Sequence, residues 1–70
     1  MERAFVAVER DSEGWPVDMG GQVFARGLDK LSAMQRAGHI ARECHRSLGI
    51  PTGVLLRMGC GRSVMIGRHG

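Results

Sequence analysis

The sequence predicts an α+β two-layer sandwich, an antiparallel sheet in the order β-β-β-α-β-β with one amphipathic helix on one face. Three observations predict it. Met34, Ala37, Ala41, Cys44 and Leu48 recur at spacings of 3, 4, 3 and 4, and the run stops at Gly49-Ile50-Pro51. Short alternating apolar runs flank that stripe on both sides. Turn signals separate the runs, at Asp11-Ser12-Glu13-Gly14, Gly20-Gly21 and Gly59-Cys60-Gly61.

Residues 3–10 read as a first strand, with Phe5 and Ala7 on one face and Ala4, Val6 and Val8 on the other. Trp15-Pro16-Val17-Asp18 is the returning strand. Pro16 cannot donate to a ladder, so this strand is expected to start there or to lie at an edge. Residues 22–26 form a short third strand ended by Gly27. The helix is expected over 30–48, capped by Asp29 or by Ser32, since Ser32-Ala33-Met34-Gln35 fits a capping box. Leu31 precedes the apolar stripe by a turn and Ile40 flanks it. Gly49 followed by Ile50 and Pro51 ends the helix. Gly38 costs about 1 kcal/mol in mid-helix relative to Ala, which a close approach to the sheet would explain. Residues 53–58 and 62–67 form a closing hairpin around Gly59-Cys60-Gly61. Val54, Leu56 and Met58 share one face with Val64 and Ile66 opposite them; Leu55, Arg57 and Met65 take the other.

A chain of 70 residues, 43% hydrophobic and 24% charged, makes a single domain, 1–70, with a small core. That core is expected to use most of Phe5, Trp15 and Phe24. The N-terminal apolar run is too short for a signal peptide or a membrane span, so a soluble cytoplasmic chain is expected. Two cysteines are too few for a disulfide scaffold. The expectation is two free thiols, Cys44 buried and Cys60 exposed. Charge is uneven. Residues 1–29 carry net −3 and residues 30–70 net +6.

Few constellations point to chemistry. Gly59-Cys60-Gly61-Arg62-Ser63 lacks the lysine and glycine spacing of a phosphate loop. His39, Glu43, Cys44, His45, Cys60 and His69 include no zinc-ligand spacing, so no metal and no cofactor are expected. No histidine is placed beside Cys60 and no carboxylate pair forms a pocket, so no catalytic set is visible. Two binding surfaces remain. Glu9, Asp11, Glu13 and Asp18 gather around one hairpin with Trp15, an acidic tip with an aromatic anchor suited to a basic protein surface. Arg36, Arg42 and Arg46 on the helix, with Arg57, Arg62 and Arg68 on the last hairpin, could form a basic face for nucleic acid.

The run Val6-Ala7-Val8-Glu9-Arg10-Asp11, the Ala/Met/Arg helix, and the Gly49-Ile50-Pro51 exit into Val54-Leu55-Leu56 resemble the small phage-encoded anti-CRISPR proteins. The layout is also similar to bacterial domains of unknown function built as hairpin, helix, hairpin. The resemblance covers most of the chain and consists of pattern and size, so it transfers no family site residues. It implies a non-catalytic phage or mobile-element inhibitor that binds a CRISPR effector or similar nucleoprotein complex. The alternative is a small nucleic-acid-binding regulator that uses the basic face.

Overall fold

The computed structural model describes residues 3–58 and 61–70. Five strands, β1 (Ala4–Glu9), β2 (Val17–Met19), β3 (Gln22–Ala25), β4 (Thr52–Arg57) and β5 (Ser63–His69), form one sheet in the order β3-β2-β1-β4-β5. A single helix, α1 (Lys30–Leu48), packs on one face between β3 and β4 in the chain. The α+β sandwich with one helix therefore stands, with corrected strand bounds. Trp15 and Pro16 precede β2, and β5 extends two residues beyond the expected Gly67.

The sheet is mixed. β1 pairs with β2 antiparallel and with β4 parallel, from Ala4↔Thr52 through Glu9↔Arg57. This corrects the expectation of a wholly antiparallel sheet, and chain length supplies the reason. A helix of 19 residues is about 28 Å long at 1.5 Å per residue, enough to return the chain along the whole sheet. β4 therefore starts at the end where β1 starts. The β1-β2-β3 meander leaves one edge of β1 open, and β4 fills it.

The core lies between the sheet and the helix. Val6, Val8, Val17, Val54 and Leu56 pack against Ala33, Ala37 and Ala41, with Trp15, Met19, Ala25, Leu28 and Ile40 bordering them. Alternation along β1 runs as predicted, with Val6 and Val8 toward the helix. The helix is rotated from its predicted stripe. The alanine row at spacing i, i+4 faces the sheet, while Leu31 and Leu48 are each 65% exposed. Methyl side chains let the helix lie close to the strands, which pushes the longer Met34, Ile40 and Cys44 to its flanks. Thr52 ties the layers together: its buried Oγ1 donates to the Ala41 carbonyl at 2.8 Å.

Helix ends follow local chemistry. Asp29 is the N-cap and accepts from the Ser32 backbone N–H at 2.7 Å, so Ser32 sits inside the first turn and is not the cap. Gly49 adopts φ 68° and donates to the His45 carbonyl. No close approach explains Gly38, because a Cβ there would meet nothing within 4 Å.

The aromatics are not spent on the core. Phe5 is 39% and Phe24 47% exposed, and Trp15 is half-buried at the core's border. Met58, Val64 and Ile66 are exposed as well; Val64 lies opposite Leu56 on the helix-side face as expected, but on the edge strand β5, beyond the cover of the helix. Register shifts explain two of these positions. One residue is inserted at Phe24 between the β2–β3 pairs Val17↔Ala25 and Asp18↔Val23, and another at Ile66 between Val54↔Gly67 and Leu55↔Met65. Each edge strand thus carries a bulge that re-aims a large apolar side chain.

Candidate functional site: a groove at the ends of the parallel strands

β1 and β4 lie side by side and run the same way, yet their connections leave in opposite directions. β1 turns toward β2, and β4 toward β5. Such a parting opens a crevice beyond the carboxyl ends of the strands. A groove of about 410 Å³ lies there, lined by Glu9, Arg10, Asp11, Trp15, Lys30, Arg57 and Met58.

The 10–16 loop builds one wall. Asp11 Oδ1 accepts from the Glu13 N–H at 2.8 Å, and the Asp11 N–H donates to the Gly14 carbonyl at 2.8 Å, closing a tight turn. Gly14 has φ 146°, and a Cβ on it would lie 2.8 Å from the Leu28 carbonyl oxygen. Only glycine lets the loop press against Gly27-Leu28 here. That contact positions Trp15, whose N–H donates to the Leu28 carbonyl at 2.9 Å. Lys30, the first helical residue, places Nζ 5.6 Å from the Trp15 ring centroid, within cation–π range. Across the groove, Arg57 Nη1 lies 3.7 Å from Glu9 Oε2; both are about half exposed, so the pair contributes little stability.

The predicted acidic group is only partly brought together. Glu9, Asp11 and Trp15 line the groove, and exposed Glu13 sits on the adjoining turn. Asp18 pairs with Ala7 on the sheet face away from the helix. The groove also holds Arg10, Lys30 and Arg57, so its lining carries both signs of charge. Sequence reasoning missed Arg10, Lys30 and Met58, because their meeting depends on the unforeseen parallel pairing of β1 with β4.

The predicted basic residues are divided between layers. Arg36, Arg42 and Arg46 are exposed on the helix, with Arg46 Nη1 3.5 Å from Glu43 Oε1. Arg57 and Arg68 stand on the outer sheet face, level with Glu9 and Gly53 respectively, and exposed Arg62 precedes β5. The sandwich itself separates the helical three from Arg57 and Arg68.

A second, more apolar groove of about 490 Å³ runs between the helix and the β2–β3 side, past Met19, Phe24, Ile40 and Leu48. Cys44 lines it half-buried, which corrects the expectation of a buried thiol; Cys60 lies outside the described residues. Among the described residues, no three His, Cys, Asp or Glu side chains gather as a metal site. His45 Nδ1 is 2.7 Å from the Ile50 carbonyl, spanning the helix exit. No helix among the described residues is long and apolar enough to cross a membrane.

No protein family, curated protein or solved structure matches this chain.

Proposed function

We propose that the chain is a non-catalytic protein-recognition module that seats a protein or nucleoprotein partner on the groove at the ends of β1 and β4. One observation carries this reading: Trp15, half-buried and held by the bond from its backbone N–H to the Leu28 carbonyl, forms the wall of a groove bearing both signs of charge. A preset aromatic anchor with mixed polar neighbours suits a protein surface, where anchors supply energy and charges supply orientation. Asp11 and Glu13 on the turn, which have no ion-pair partner among the described residues, offer contacts to basic groups of a partner beside the Arg10, Lys30 and Arg57 cations of the lining. The CRISPR effector implied by the anti-CRISPR resemblance is a partner of that kind, because it handles nucleic acid.

Trp15 is the only tryptophan in the chain, so its emission reports occupancy of the groove directly. The experiment titrates the protein with an arginine-rich peptide, duplex DNA and single-stranded RNA over a salt series. The peptide is expected to perturb Trp15 emission, and a variant carrying Asp11→Lys and Glu13→Lys to bind it at least about tenfold more weakly. Salt-steep DNA or RNA binding that is lost on substituting Arg42, Arg46 or Arg62 would instead establish the nucleic-acid regulator and sink this reading. Co-purification with a CRISPR effector tests the specific partner.

A further inference from the structure

Among the described residues, no helix or strand packs on the outer sheet face, opposite the helix. Register places Phe5, Ala7, Leu55 and Met65 at its centre, with Asp18 on β2 toward one edge and Arg68 on β5 toward the other. Phe5 and Met65 are 39% and 43% exposed. The Phe5 ring lies over Gly53, where an added Cβ would come within 3.2 Å of it. Among the described residues, neither Asp18 nor Arg68 has an ion-pair partner.

We infer that this face is the interface of a homodimer. Two copies meet sheet to sheet about a two-fold axis through the apolar centre, and Asp18 of each copy faces Arg68 of the other. A two-fold contact must be self-complementary. Among the strand residues of this face, Glu9 and Asp18 on the β1–β2 half and Arg57 and Arg68 on the β4–β5 half meet that requirement, since an axis passing between β1 and β4 lays the acidic half of each copy on the basic half of the other. The helix face does not, because Arg36, Arg42 and Arg46 would meet their own kind. The five strands, three to seven residues long, present about 400 Å² in projection at about 3.3 Å per residue and about 4.8 Å spacing, and side-chain relief raises the buried area toward the ~800 Å² per partner of a standard interface.

The single chain also exposes more than its mass requires. Its accessible surface is 4730 Å², against about 4,300 Å² for a monomeric globule of 7.6 kDa. The distribution of side chains points the same way. The fully buried positions are valines, alanines and Thr52, while Phe5 and Met65 on the outer face remain exposed. Pairing the outer faces covers Phe5, Leu55 and Met65.

The test is solution mass by light scattering or sedimentation over a wide concentration range. Wild type is expected at twice 7.6 kDa. Asp18→Arg and Arg68→Asp are each expected to weaken self-association at least about tenfold, since each sets like charges opposite one another. An equimolar mixture of the two variants restores opposite charges at both contacts and is expected to form a heterodimer. A wild-type monomer throughout, single variants that dimerise like wild type, or folded variants that do not rescue each other would each overturn the inference. Hydroxyl-radical footprinting of wild type serves as a check independent of the variants. Phe5 and Met65 should become protected as concentration rises. Protection of Phe24 and Leu48 instead would move the interface to the helix-side groove and refute the sheet-face dimer.

Discussion

Replacing Gly14 with Ala tests how the groove is held. Gly14 sits at φ 146°, a region that costs a non-glycine residue about 1–3 kcal/mol. Its new Cβ would lie 2.8 Å from the Leu28 carbonyl oxygen and 3.3 Å from two Gly27 backbone atoms. Those neighbours are backbone, so no side chain can rotate away and the 10–16 loop must lift. Lifting it breaks the Trp15 N–H to Leu28 carbonyl bond of 2.9 Å, a further ~0.5–1.5 kcal/mol. The expected loss is about 2–4 kcal/mol by chemical denaturation. Because Trp15 is carried by the same loop, its emission should shift toward that of exposed indole in the folded variant. Unfolding followed by circular dichroism, with native-state fluorescence beside it, reads both effects. A loss under about 0.5 kcal/mol with unchanged emission would show that the loop does not rest on Gly27-Leu28, and the account of the groove wall would fail.

Gly38→Ala should stabilise by about 0.5–1 kcal/mol in thermal or chemical unfolding, because the helix gains a better former and the Cβ enters open space; destabilisation would mean that the helix approaches something at Gly38 after all. Thr52→Val keeps the shape but removes the hydroxyl bonded to the Ala41 carbonyl. It should cost about 1–3 kcal/mol, and a neutral result would show the two layers are not tied there. The Ser32 hydroxyl and backbone N–H beside Asp29 hold its carboxyl below the usual carboxylate range. The cap's contribution should therefore be complete above the ordinary Asp value of 3.8 and fade as pH falls through the lower folded value. Asp29→Asn should flatten that part of an acid titration followed by helical circular dichroism; an unchanged acid limb would assign it to other carboxylates.

Much of the fold is legible in the chain because its signals are local. Asp29, the helical spacing and Gly49-Ile50-Pro51 delimit the helix through capping and left-handed backbone chemistry, which involve only near neighbours. Period-two alternation assigns Val6 and Val8 to one face of β1 and Phe5 and Ala7 to the other for the same reason. Strand pairing is not local. The parallel match of β1 with β4 depends on which sheet edge stays open after the first meander, and the groove depends on that match. Arg10, Lys30, Arg57 and Met58 converge only because two parallel strands end together. Which helical face is buried was likewise a packing decision. Met34, Cys44 and Leu48 offer more apolar area than alanine does, yet close approach of helix and sheet favours the alanine row, because dense packing rewards fit over size. Sequence by itself determined the α+β class, the helix limits and the two faces of β1, all written in contacts within a few residues. Tertiary structure alone decided the mixed sheet, the groove and the sorting of the arginines onto two layers, since each requires residues far apart in the chain to meet.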